Sequence, residues 1–148
     1  MGAGGQFTGS NPAYTVGELA HHLRISKADL LITQPKNLDN AVKAAEEAGI
    51  PHDRVFVFND ATDSRFYDYP SWMTLLEYGQ ADWVSFNDRQ RSEKTTAVLS
   101  STSGTTGLPK MAARSHLSFV TEHYCITRES PKPYKVIDND STTSRAIY

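Results

Sequence analysis

Residues 95–110 constrain the fold of this chain more than any other stretch. A β-branched and apolar run, Thr95-Thr96-Ala97-Val98-Leu99, leads directly into Ser100-Ser101-Thr102-Ser103-Gly104-Thr105-Thr106-Gly107-Leu108-Pro109-Lys110. The first half has the composition of a strand; glycine and proline keep the second half from continuing it. The second half suits an anion. Glycine lets the backbone approach a ligand closely, so that its N–H groups converge on an oxyanion. The hydroxyls add donors, Lys110 adds a full positive charge, and Pro109 stiffens the turn before it. A Ser/Thr/Gly/Pro cluster judged by composition alone is only a surface loop, so order has to decide. Order excludes a Walker A loop, because Pro109 precedes the lysine and Met111 comes after it where glycine and Ser/Thr are required.

The ordered run Thr102-Ser103-Gly104-Thr105-Thr106-Gly107-Leu108-Pro109-Lys110, preceded by Leu99 and two spacers, resembles the phosphate-loop signature of the adenylate-forming (AMP-binding) superfamily. Upstream, Gly4-Gly5-Gln6-Phe7-Thr8-Gly9-Ser10-Asn11-Pro12-Ala13-Tyr14-Thr15, then Glu18-Leu19 and Ala28-Asp29-Leu30-Leu31-Ile32-Thr33, is similar to the segment before that loop in acyl-CoA synthetases. Ser115-His116-Leu117 is like the Ser/Thr-His pair after it in the 4-coumarate-CoA ligase and luciferase branch. The resemblance runs from about Gly4 to about Val136. It leaves two departures: Met111 stands where relatives often carry glycine, and the likeness stops abruptly after Val136.

The resemblance implies a mechanism for a complete relative. A carboxylate attacks the α-phosphorus of ATP, pyrophosphate leaves with Mg²⁺, and the thiol of coenzyme A opens the mixed anhydride. Charge builds on the departing β,γ-phosphates, where donors already aimed at them stabilise the transition state without reorganisation. By resemblance those donors are Ser103, Gly104, Thr105, Thr106, Gly107 and Lys110, with Thr102 beside them. ATP, Mg²⁺, coenzyme A and a small carboxylic acid are thus the implied ligands. The family's Gly-rich adenine segment, its Thr-Glu pair for Mg²⁺, its ribose-binding Asp and its C-terminal domain with a catalytic lysine have no counterpart here. No catalytic or metal-ligating residue is therefore assigned, and the chain is expected to be part of a large N-terminal domain, cut upstream and inactive alone. A free-standing phosphate-binding module and a partner-binding remnant are the alternatives.

Composition narrows the partners. The 148 residues carry 15 Lys+Arg against 17 Asp+Glu, a formal charge of −2 with no block of one sign, which recommends neither nucleic acid nor an anionic membrane. No apolar run approaches the length of a membrane span. The start, Met1-Gly2-Ala3, lacks the basic and apolar segments of a signal peptide, and the end is no peroxisomal tripeptide, so a cytoplasmic location is expected. The single cysteine, Cys125, cannot form an internal disulfide, and its spacing from His123 has no second pair to make a zinc site.

The remaining pattern reads as α/β. Thr15 and Glu18 form a capping box for a first helix, in which Leu19 and Leu23 share a face and the adjacent His21 and His22 diverge, neither with a functional partner. Leu30–Thr33 reads as a short buried strand. Leu38, Ala41, Val42, Ala45 and Ala48 recur at helical spacing up to a closing Gly49, and Val55–Phe58 reads as a second strand. Strand, helix and strand of this character favour a parallel β-α-β layer with flanking helices. Asn59–Tyr69 reads as a surface loop. Ser71 is expected to cap a short helix that buries Trp72, Leu75 and Leu76 and stops at Gly79. Asp82–Glu93 reads as an irregular linker, Met111–Arg114 as a hairpin return, and the next helix starts near Ser115, with His116 packing or capping. Residues 1–136 are expected to form the partial AMP-binding domain and 137–148 a polar, disordered tail.

Overall fold

The computed structural model describes residues 3–59, 68–102, 109–129, 134–135 and 146–147. Its elements are β1 (Phe7–Thr8), α1 (Val16–Ser26), β2 (Leu31–Thr33), α2 (Leu38–Ala48), β3 (Val55–Val57), α3 (Arg89–Lys94), β4 (Thr96–Thr102), β5 (Lys110–Ser115), α4 (His116–Tyr124), β6 (Tyr134–Lys135) and β7 (Ala146–Ile147). The α/β class inferred from the sequence holds.

The β-α-β unit forms as the apolar spacing demands. β2 and β3 pair in parallel, Leu31 with Val55 and Thr33 with Val57, and α2 packs on both. Alanines make this tight packing possible: Ala20 of α1 and Ala41, Ala44 and Ala45 of α2 are buried where the two helices meet. Small side chains let helix axes approach closely. Leu19, Leu23, Leu38, Ile50, Val55 and Val57 complete the core. The capping box at Thr15 is present in both directions, with the Thr15 N–H donating to Glu18 Oε2 at 2.8 Å and the Glu18 N–H donating to Thr15 Oγ1 at 3.4 Å. Gly49, at φ 79°, ends α2 in the left-handed conformation that suits glycine.

Several expectations need correction. The first regular element is β1, not α1: Phe7 and Thr8 pair in parallel with Val98 and Leu99 of β4. The segment is too short to announce itself by periodicity. β2 is not fully buried, since Ile32 is 44% exposed; α2 covers one face of the two-stranded pair, and an alternating strand turns Ile32 to the other. None of Trp72, Leu75 and Leu76 is buried: the first two are half-buried and Leu76 is 63% exposed, because Trp72–Tyr78 is a 3₁₀-helix, whose three-residue period distributes side chains differently from an α-helix. Ser71 still caps it, accepting from the Met73 N–H at 3.3 Å, and Trp72 stacks on Phe58 at 5.0 Å. Within the expected linker, Asp88 accepts from the Arg91 N–H at 2.7 Å and so starts α3. Most of the loop Asn59–Tyr69 lies outside the described residues. Of the tail, Ala146 and Ile147 are described and pair antiparallel with Lys135 and Tyr134. Among the described residues, no helix is long and apolar enough to cross a membrane.

Candidate functional site

β4 runs further than its apolar residues alone suggest, through Ser100 and Ser101 to Thr102. It then pairs antiparallel with β5 in the hairpin expected from Met111–Arg114, Leu99 opposite Ala113, Ser101 opposite Met111 and Thr102 opposite Lys110. The Thr102–Lys110 pair is the last rung before the connection. Ser103, Gly104, Thr105, Thr106, Gly107 and Leu108, the core of the anticipated phosphate loop, lie outside the described residues. Thr102 and Lys110, its two shoulders, are described and exposed.

Those shoulders are tied together. Thr102 Oγ1 donates to the Lys110 carbonyl at 3.2 Å, committing the one hydrogen of that hydroxyl. On the other side of Lys110, the carbonyl of Pro109 lies 3.2 Å from Nε2 of His21, on a helix distant in sequence. A carbonyl oxygen only accepts, so Nε2 carries the hydrogen. Sequence reasoning missed this contact, and no local signal announces it.

His22 faces a different way, as adjacent helical residues must. It is 2% exposed and lies 3.1 Å from Thr8 Oγ1, which ties α1 to β1. Burial, with a smaller contribution from the neighbouring His21, holds its imidazole below the usual histidine pKa. β1, β4 and Pro109 enclose an open groove of about 430 Å³ lined by Phe7, Gly9, Asn11, Tyr14, Ser100 and Ser101 among others. The groove runs along the paired residues of β1 and β4 toward the end of the hairpin. His116 stacks on Phe86 at a ring separation of 3.8 Å, which is the packing expected of it. Cys125 is exposed, and no cluster of three metal-ligating side chains occurs among the described residues.

The family model of AMP-binding enzymes matches residues 1–142. The chain belongs to the AMP-binding enzyme family. An acyl-CoA synthetase of Alternaria alternata is 39% identical over 130 residues, covering 88% of this chain and 22% of the relative. A phenylacetyl-CoA ligase of Aspergillus niger is 35% identical over 137 residues, covering 91% of this chain and 25% of the relative. The chain thus spans about a quarter of the length of the curated relatives it matches. Among solved structures, a red-emitting luciferase of Phrixothrix hirtus superposes with a TM-score of 0.65 at 25% identity, over 83% of this chain and 30% of the luciferase. The AMP-binding fold is the frame in which the β4–β5 hairpin sits.

Proposed function

We propose that this AMP-binding segment carries the ATP phosphate-binding loop of an acyl-CoA synthetase. Ser103, Gly104, Thr105, Thr106, Gly107 and Lys110 hold the β,γ-phosphates as a carboxylic acid attacks the α-phosphorus. The observation that supports this reading best is the hairpin, whose last rung sets Lys110 opposite Thr102, so that the strand's hydroxyls and the lysine enter and leave the same connection. A positive charge beside backbone and hydroxyl donors is what a leaving pyrophosphate needs as its charge grows. Thr102 ties the connection's two ends together through its hydroxyl; it contacts a phosphate when that hydroxyl turns from the Lys110 carbonyl.

The names of the relatives support coenzyme A as the acceptor of the acyl group. Mg²⁺ is the family's usual companion of ATP, but no residue of this chain is assigned to it and no step is routed through it. In this reading residues 1–136 are part of the adenylate-forming domain, residues 137–148 a polar tail, and the protein works in the cytoplasm. ATP–pyrophosphate exchange in a complete ligase carrying this segment tests the proposal: exchange that survives replacement of the Ser103–Gly107 run by an alanine-serine linker rules it out.

A further inference from the structure

We propose that His21 is a positioning residue for Lys110, acting through the carbonyl of Pro109. The proposal rests on the phosphate-loop reading above and adds to it a residue 88 positions away in sequence. The Pro109 carbonyl and the Lys110 nitrogen belong to one planar peptide unit, so a hydrogen bond that orients the first also orients the second. Proline sharpens the constraint, because its ring already restricts φ on the near side of that unit. The next peptide unit is held as well, since its carbonyl, that of Lys110, accepts from Thr102 Oγ1 at 3.2 Å. Lys110 is therefore clamped before and after its Cα while its side chain remains exposed.

His21 can exert this hold because its helix is packed and tied on several sides. Leu19, Ala20, His22 and Leu23 around it are buried, α1 packs on α2, and His22 fastens the same helix to Thr8 of β1. β1 in turn pairs with β4, the strand that leads into the loop. His21 thus joins the loop exit to the element that already carries the loop entrance. A lysine whose backbone is ordered in advance has only its side chain left to order on meeting a phosphate.

The test uses the full 148-residue chain, with inorganic pyrophosphate as the probe and ¹⁵N-resolved NMR as the readout. In its neutral form the wild-type His21 ring carries its proton on Nε2; a neutral ring protonated on Nδ1 overturns the proposal without any variant. Lys110→Ala weakens pyrophosphate binding about tenfold, the low end for a charge-assisted hydrogen bond. His21→Leu, which keeps helix propensity and bulk, weakens it roughly threefold to tenfold and shifts the Lys110 amide resonance. His21→Gln, whose amide nitrogen reaches where Nε2 sits, restores binding to within about twofold. The double variant His21→Leu/Lys110→Ala binds no more weakly than Lys110→Ala alone, because nothing is left to position. Wild-type affinity in His21→Leu beside a weakened Lys110→Ala overturns this proposal and leaves the loop reading standing, as does additivity in the double variant. Wild-type affinity in Lys110→Ala overturns both. Where His21→Leu does not fold, the wild-type tautomer and His21→Gln decide.

Discussion

Thr102 and Lys110 face each other across the last rung of the β4–β5 hairpin, and the Thr102 hydroxyl closes it by donating to the Lys110 carbonyl at 3.2 Å. The glycine-rich connection therefore starts and ends at one place. The lysine's backbone is thereby held against the strand that leads in.

Lys110→Ala in a complete ligase carrying this segment slows adenylation. Loss of one charge-assisted hydrogen bond corresponds to roughly a tenfold to hundredfold fall in kcat/KM for ATP. Thioester formation from supplied acyl-adenylate is nearly unchanged, since pyrophosphate has already left. Measuring the two half-reactions separately checks this, and equal losses in both would mean the whole site is disturbed.

These 148 residues alone release no pyrophosphate from ATP when offered fatty or aromatic acids. The adenine, ribose and Mg²⁺ motifs of the family have no counterpart in them, which leaves ATP held by its phosphates only. A coupled pyrophosphate assay run over such a panel decides the matter; steady release above background refutes it.

Core and surface apolar residues respond differently to truncation. Val57 of β3 is 0% exposed in the core shared with α1 and α2, so Val57→Ala lowers stability by about 1–3 kcal/mol through lost burial and a cavity. Leu76 is 63% exposed, and Leu76→Ala changes it by less than about 0.5 kcal/mol. Urea denaturation of both variants tests the assignment of the core, and similar shifts would contradict it.

Stability falls on acidification through His22. Burial lowers its pKa in the folded state, so below about pH 6.5 the unfolded chain takes up a proton that the folded one does not. The unfolded state binds more protons in that window, and the free energy of unfolding rises with pH until the unfolded histidine is neutral. Urea midpoints measured from about pH 5 to pH 8 carry this slope in the wild type, and His22→Gln flattens it; an unchanged slope excludes His22 as its source.

Much of the fold was legible because it is written in local patterns. The alanine and leucine spacing of residues 38–48, the Thr15/Glu18 capping box, the two apolar strands around α2 and the Ser115 start of α4 each follow from short-range rules. The candidate loop was equally legible, as an ordered motif that resembles the phosphate-loop signature of the AMP-binding family. The sequence by itself thus determined the class of the fold, the family and the identity of the proposed phosphate donors. Tertiary structure alone decided what holds the lysine. β1 is two residues long and exists because β4 lies beside it. His21 finds Pro109 only after α1 has packed on α2 and been fastened to β1. Such contacts join segments that neither share a periodicity nor lie near each other in the chain, and their partners are chosen by packing, which no local pattern records.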